Sequence, residues 1–328
     1  PMTTTRRMLL AAAAGALAAP RPARAQERWN PTRPVTFVSG APPGGTVDLV
    51  ARTVAEALAP RLGQPVVVDV RPGASFNISV QHVLRQPADG YTLGLAPITM
   101  GTNPSLMNVG YDPIADIVPV AQMSAVAVVI VVGPNTPYRT LGEMVAFARA
   151  NPEKLTLGHG GHGTSGFLAA QLLAREAGFR YLPVPFSGSA PMMPMIFGGQ
   201  LDGTFVPVDG ALLGQIRGGQ LRPLAVMQPN RLPQLPDVPT TRDAGFGPSV
   251  DFRSWHGTFL RAGTPRPVVE RYFAAVTDAM RDPAVVQRLT AGGVEPAPSA
   301  SIAEFEAFYR GELRRWAELI RALGIQPS

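Results

Sequence analysis

Short apolar runs alternate with segments of helical periodicity along most of the chain. The first strand-like run is Val35–Val38, and a second follows at Val66–Val70. Between them, apolar residues recur every four positions on one helical face, namely Val50, Val54, Leu58 and Leu62. Together with a third run at Thr92–Leu95, this order predicts strand–helix–strand units with right-handed crossovers, and therefore a largely parallel sheet.

The same rhythm continues through the second part of the chain. Ala125–Val132 is apolar without alternation, which is typical of a strand buried on both faces. Further strands are predicted at 155–158, 181–184, 201–206, 224–227 and 258–260, and helices at 140–150, 164–177 and 190–197. Ser301 and Glu304 form a capping box at the start of the last helix.

These elements predict an α/β protein with two lobes joined by two crossings of the chain. We expect lobe 1 to comprise residues 26–123 and 251–328, and lobe 2 to comprise residues 124–250. Each lobe is predicted to be a mostly parallel sheet flanked by helices. Ligands of such folds bind outside the carboxyl ends of the strands, so we expect a ligand in the interlobe cleft.

Residues 1–25 have the pattern of a secretory signal peptide. Arg6 and Arg7 precede an uninterrupted apolar stretch from Met8 to Ala19, and Ala23-Arg24-Ala25 fits a cleavage site. The stretch is too short to span a bilayer. We therefore expect export to the periplasm, by the general secretory route or, given the arginine pair, by the twin-arginine route.

Charge and cysteine content exclude several classes of function. Removing residues 1–25 takes away four arginines and no acidic residue, so the net charge falls from +6 to +2. The remaining basic residues form no concentrated stripe, which argues against nucleic-acid binding. The chain has no cysteine, which excludes disulfides, thiolate catalysis and cysteine-ligated metals.

A glycine-rich turn, GAPPGGT at 40–46, follows the first strand and precedes the first helix. It lacks the lysine of a phosphate-binding P-loop and the spacing of a dinucleotide fingerprint. Backbone N–H groups at a helix start have no intrahelical partner and lie at the positive end of the helix dipole. The turn therefore suits a carboxylate, although an ordinary strand-to-helix turn would have the same composition.

Three later turns repeat this layout, which strengthens the carboxylate hypothesis. They are RPGASFNIS at 71–79, GHGGHGTSG at 158–166 and PFSGSAP at 185–191. All place small hydrogen-bonding residues between a strand and a helix, two turns in each predicted lobe. If they converge across the cleft, main-chain and hydroxyl donors could hold a small acid.

Neither metal binding nor catalysis is indicated by the remaining motifs. His159 and His162 lack the third and fourth ligands that zinc requires. Ser165 lies near His162, but Phe167 stands where the G-x-S-x-G hydrolase motif needs glycine. We therefore expect no cofactor and no enzymatic activity, and we interpret His162 as a hydrogen-bonding residue lining a polar cleft.

Beyond these features, the sequence resembles a known family over essentially all of residues 26–328. The segment RPVTFVSGAPPGGTVDLVARTVAEALAPRLGQPVVVDVRPGA is similar to the start of the substrate-binding proteins of tripartite tricarboxylate transporters, also called the Bordetella uptake gene (Bug) family. The likeness continues through ADGYTL, NPSL, YDPIADIVPVAQM, GSAP, GGQLDGTF and AGTPRPVV. It implies a periplasmic-binding-protein (flytrap) fold that captures carboxylates for a transporter with one large and one small membrane subunit.

The resemblance also implies a set of ligand-binding residues in the four turns. They are Pro43, Gly44, Gly45, Thr46 and Asp48 in the first turn, Ser75, Phe76 and Asn77 in the second, Gly163, Thr164 and Ser165 in the third, and Gly188 and Ser189 in the fourth. We add His162 for its position in the third turn, and Asp209, whose surroundings FVPVDG depart from the family pattern.

Other departures bear on the ligand. Ser75-Phe76 replaces the common Gly-Gly, so a phenyl ring could narrow the pocket, stack on an aromatic acid or pack against the neighbouring lobe. Phe186-Ser187 replaces a pair that often includes a cation. We therefore expect an aromatic, mono- or dicarboxylate rather than citrate, bound by a monomer. A ligand-binding sensor, or an enzyme on the same scaffold, is the alternative, since a fold does not fix a function.

Overall fold

The computed structural model describes residues 29–186 and 188–325, so the predicted signal segment lies outside the described residues. Ten strands are described: β1 Val35–Ser39, β2 Val66–Val70, β3 Thr92–Pro97, β4 Ile117–Val132, β5 Thr156–His159, β6 Leu182–Pro185, β7 Gly203–Pro207, β8 Arg222–Val226, β9 Arg253–Arg261 and β10 Glu295–Pro296. The apolar runs of the sequence therefore locate most of the strands correctly.

Helices occupy most of the connections between these strands. They are α1 Thr46–Leu62, α2 Asn77–Arg85, α3 Thr99–Thr102, α4 Leu141–Ala150, α5 Ser165–Ala177, α6 Ser189–Phe197, α7 Gly210–Arg217, α8 Arg266–Ala279, α9 Pro283–Ala291 and α10 Ile302–Ala322. The predicted capping box is confirmed, because the Ser301 hydroxyl accepts the Glu304 N–H at 3.0 Å.

One long strand, β4, organises the sheet. The strand order is β2-β1-β3-β9-β4-β7-β5-β6, with β8 and β10 also pairing with β4. Residues 117–127 of β4 pair with β9, and residues 128–132 pair with β7. We call β1–β3, β9, β10 and residues 117–127 of β4 the first lobe. We call β5–β8 and residues 128–132 of β4 the second lobe. The boundaries predicted at 124 and 251 stay a prediction.

The α/β fold is confirmed, but the pairs that involve β4 or β9 are antiparallel. Parallel pairs are confined to the strand–helix–strand units, β1 with β2 and β3, and β5 with β6 and β7. The sheet is therefore mixed, because β4 and β9, the two long strands at its centre, run antiparallel to the strands beside them. β4 and β9 also extend beyond their predicted runs, because buried polar residues interrupt the apolar pattern there.

Ser124 and His256 illustrate that interruption. They lie opposite each other on β4 and β9, and their side chains form a hydrogen bond of 3.0 Å. Burial lowers the pKa of His256 to about 4, so the imidazole is neutral at pH 7 and needs no counter-ion. No helix among residues 29–186 and 188–325 is both long and apolar enough to cross a membrane.

Candidate functional site

The first glycine turn is held in shape by its own helix. Gly44 has a φ of +106°, a conformation that favours glycine, and its N–H donates to the Asp48 carboxylate at 3.2 Å. Arg52, one turn further along α1, pairs with the other oxygen of Asp48 at 2.9 Å. Both oxygens of Asp48 thus have partners within the turn and its helix, so this residue shapes the loop.

Beyond Asp48, the start of α1 leaves backbone donors available. Gly45 is the N-cap residue, and no side chain of the described protein caps the helix there. A side chain built on Gly45 would meet no atom within 4 Å, so the space in front of the helix is open. Pro43 and Gly44 are exposed, whereas Thr46 is buried. The predicted turn therefore presents helix N–H groups to an open face.

The second turn has an unusual backbone. Ala74, Ser75 and Phe76 have φ angles of +45°, +48° and +73°, a left-handed conformation that is costly for residues other than glycine. The Phe76 ring packs over Gly40 of the first turn, where an added Cβ would lie 2.6 Å from Cδ1. The phenyl ring thus contacts its own lobe. Asn77 follows as the buried first residue of α2, and its side-chain amide donates to the Val109 carbonyl at 3.2 Å.

The third turn, after β5, resembles the first. The Thr164 hydroxyl donates to the Gly161 carbonyl at 2.7 Å, and no described side chain caps α5, which begins at the buried Ser165. Gly161 and Gly163 both have positive φ angles. The N–H groups at the start of α5 are therefore available in the same way as those of α1.

His162 is exposed and lies flat against an aromatic neighbour. Its ring is parallel to Phe167 within 7°, with centroids 4.9 Å apart. The nearby His159 is buried, which lowers its pKa, and its Nδ1 accepts the Gly161 N–H at 3.2 Å. Among the described residues, no group of three metal-ligating side chains is present. His159 thus stabilises the third turn through its hydrogen bond to Gly161, and His162 stacks on Phe167 of α5.

Direct contacts join the turns of the two lobes. The Ser75 hydroxyl lies 3.4 Å from the His162 carbonyl, and the Thr102 hydroxyl donates to the Gly163 carbonyl at 3.0 Å. A side chain on Gly160 would lie 3.8 Å from Gly188 of the fourth turn. The second, third and fourth turns therefore meet, and Phe76 joins the first turn to them.

The segment after β3 belongs to this cluster, and sequence reasoning missed it. Besides Thr102, it supplies Asn103, whose side-chain amide donates to the Ser75 carbonyl at 2.8 Å. The signal was present, since TMGTN at 99–103 places small hydrogen-bonding residues directly after a strand, as in the four turns that were recognised. Absence of a glycine pair made the segment resemble an ordinary helix start.

Asp209 has a different environment from the other candidates. It is the N-cap of α7, and its carboxylate accepts the Leu212 N–H at 2.7 Å. Burial raises the pKa of Asp209, while the N–H groups of Leu212 and Ala211 act in the opposite direction. The hydrogen bonds of its carboxylate therefore stay within its own helix start.

The fourth turn ends at Gly188, which has a φ of +145°. The exposed Ser189 follows at the start of α6, which has no side-chain cap among the described residues.

The loops that meet here, at 40–46, 71–79, 99–106, 159–165 and 185–191, contain one cation, Arg71. Its guanidinium already pairs with the Asp69 carboxylate at 2.7 Å. Any anion between them would therefore be bound by N–H and hydroxyl donors, each charge-assisted bond contributing about 1.5–3 kcal/mol. A donor-rich cleft of this kind fits a small carboxylate without a metal or cofactor.

Comparison with known proteins identifies the family. Residues 50–325 match the family described as tripartite tricarboxylate transporter family receptor. The chain belongs to this family. Protein BugT of Bordetella pertussis is a relative of the receptor, 31% identical over 299 residues, which is 90% of this chain and 90% of BugT. The resemblance seen in the sequence motifs is thereby confirmed.

Solved structures of similar receptors agree with the fold. One is Rpa4515 of R. palustris with adipate, with 30% identity and a TM-score of 0.84, covering 91% of this chain and 99% of that one. Another is MatC (Rpa3494) of Rhodopseudomonas palustris with bound malate, with 29% identity and a TM-score of 0.79, covering 88% and 99%. The periplasmic binding protein BugD, with 30% identity and a TM-score of 0.82, covering 91% of this chain and 100% of that one, confirms the periplasmic-binding-protein architecture predicted from sequence.

Proposed function

We propose that this receptor is a periplasmic solute-binding protein that captures a small carboxylate between its lobes and delivers it to a membrane transporter with one large and one small subunit. The single observation that carries the proposal is the meeting of uncapped helix starts from both lobes at one cluster of turns. α1 and α2 come from the first lobe, α5 and α6 from the second. In this proposal, the turns hold the carboxylate and no bond of the ligand is made or broken.

We further propose an aromatic, mono- or dicarboxylic acid rather than citrate. The one cation of the four turns, Arg71, is already paired with Asp69 at 2.7 Å, so a third carboxylate would lack a partner, and burying an unpaired charge is costly. Phe76 adds an apolar surface beside the first turn where the family commonly has glycine. The adipate and malate of the two similar receptors are dicarboxylates, which supports the charge argument without identifying this receptor's ligand.

A thermal-shift screen of residues 26–328 against benzoate, adipate, malate and citrate tests the proposal. The protein is first refolded to remove any carried-over ligand. A ligand present at a hundredfold excess over its Kd stabilises the folded state by about 2.7 kcal/mol. We expect a clear rise in melting temperature with at least one of the first three acids and a smaller rise with citrate.

Phe76→Gly is the matched variant for ligand class. Glycine suits the positive φ at this position, so the variant retains the fold and relieves backbone strain. We expect the variant to accept citrate better than the wild type does and to bind benzoate less well. Carboxylate capture is contradicted if no acid stabilises the wild type. The ligand class is contradicted if citrate gives the largest shift.

A further inference from the structure

Five residues form what we call the three-loop junction, where the second turn, the segment after β3 and the third turn meet. They are Ser75, Thr102, Asn103, His162 and Gly163. Within the first lobe, the Asn103 amide donates to the Ser75 carbonyl at 2.8 Å. Across the lobes, hydroxyls of the first lobe face main-chain carbonyls of the second, at 3.0 Å for Thr102 and 3.4 Å for Ser75.

Thr102 makes the better of the two contacts between the lobes. Its side chain is completely buried, with a relative exposure of 0%. The hydroxyl has one proton, and the Gly163 carbonyl at 3.0 Å is a closer acceptor than the Thr99 carbonyl at 3.4 Å. A buried carbonyl that loses its donor is costly, so this bond favours the position in which the two lobes touch.

Gly163 fits tightly against the first lobe. An added Cβ would lie 2.7 Å from Leu106 Cδ1, 3.0 Å from Thr102 Oγ1 and 3.1 Å from Asn103 Oδ1. Its φ of +79° also favours glycine. The main chain of the second lobe thus lies directly on side chains of the first lobe, two residues before the start of α5.

We propose that Thr102 is a positioning residue that holds the third turn in the geometry required for binding and joins lobe closure to ligand capture. This inference rests on the proposed function. By fixing the Gly163 carbonyl, the hydroxyl fixes the direction in which the N–H groups of Ser165 and the rest of the first turn of α5 point. Thr102 itself acts through the loop and makes no contact with the ligand.

Three variants separate the hydroxyl from the packing. Thr102→Val keeps the shape and removes the donor, and Thr102→Ser restores the donor. Thr241→Val is the matched control, because Thr241 is equally buried, lies between β8 and β9 outside the turns that meet, and its hydroxyl has no hydrogen-bond partner among the described residues. We expect Thr102→Val to raise the Kd for adipate about fivefold to tenfold. The two other variants should stay within about twofold of the wild type.

A distance measurement without ligand distinguishes positioning from a local packing defect. Because the chain has no cysteine, spin labels at Arg85→Cys in the first lobe and Glu176→Cys in the second lobe are specific. In the labelled protein without adipate, we expect Thr102→Val to broaden the distance distribution, and saturating adipate to narrow it. A Thr102→Val distribution equal to that of the wild type would overturn the inference, whatever its affinity. If wild-type protein binds no carboxylate of the panel, the proposed function fails instead.

Discussion

Helices of this receptor begin in two ways, and the difference follows their location. α4, α7, α9 and α10 begin at polar residues whose side chains accept a helix N–H, namely Thr140, Asp209, Asp282 and Ser301. The four helices that start at the cleft have no such cap among the described residues. α8 and the short α3 also lack a side-chain cap, but they begin after Pro265 and Ile98 and not at a glycine turn.

Under the proposed function, the comparison identifies where the protein gives up stability for binding. An N-cap side chain contributes about 0.5–2 kcal/mol relative to alanine but only a few tenths relative to glycine. The loss is therefore small at Gly45 and Gly188 and falls mainly on the starts of α2 and α5. The same N–H groups are donors that a carboxylate can use. On this view, the ligand replaces the missing caps, and the capped helices elsewhere maintain the stability of the fold.

The largest expected effect comes from capping a cleft helix internally. Gly45 has extended backbone, with φ −96° and ψ 179°, and open space around it, so Gly45→Asp fits without strain. The new carboxylate would accept the N–H groups that we assign to the ligand. We expect the Kd for the best acid of the panel to rise more than tenfold, which corresponds to about 1.4 kcal/mol or more. Without ligand, the free energy of unfolding should rise by a few tenths of a kcal/mol.

Gly45→Ala is the control, because it adds a Cβ in the same place without a carboxylate. Calorimetric titration gives the affinity, and urea unfolding followed by circular dichroism gives the stability. If Gly45→Asp and Gly45→Ala bind the acid equally well, the start of α1 is no part of the binding surface. The contrast between the two kinds of helix start would then lose its functional meaning for α1.

Removing a cap far from the cleft should have the opposite signature. Ser301→Ala eliminates the acceptor for the Glu304 N–H and should lower the free energy of unfolding by about 1 kcal/mol. Carboxylate affinity should stay unchanged, since α10 begins away from the turns that meet. Ser301→Asp retains a cap and should recover most of the stability. A loss of affinity in Ser301→Ala, with urea stability unchanged, would contradict the division between structural and binding helix starts.

Much of the fold was predictable because its strands and helices have clear periodicity. The glycine turns after β1 and β5 are predictable because a left-handed backbone favours glycine, as at Gly44 and Gly163. The antiparallel centre of the sheet was not recognised. β9 begins at Arg253 and includes Ser254 and His256, and these polar residues look like a loop until their buried partners on β4 are known.

The contacts between loops could not be predicted from the sequence at all. Thr102 and Gly163 are far apart in the chain, and their hydrogen bond depends on how the two lobes face each other. The role of Phe76 was also open, because only the folded chain shows that its ring lies over Gly40. Local patterns therefore identify which turns carry donors, whereas tertiary packing decides which turns meet.

Asp209 provides the smallest and sharpest test of the comparison, since it is both a predicted site residue and the cap of α7. Burial raises its pKa above 3.8 in the folded protein, so the folded state holds the proton more tightly than the unfolded chain does. The stability that this shift contributes is present below about pH 3.8 and is lost as the pH rises through the raised pKa. Asn does not titrate and can still accept the Leu212 N–H.

Asp209→Asn should therefore have the stability of the wild type near pH 3.5 and become slightly more stable than it at pH 7, with carboxylate affinity unchanged. Urea unfolding at both pH values measures the difference. Asp209→Ala, the control, loses the cap and should be less stable by about 1 kcal/mol at either pH. If Asp209→Asn loses carboxylate affinity while its stability is retained, Asp209 belongs to the binding surface. The amide preserves the cap and removes only the negative charge.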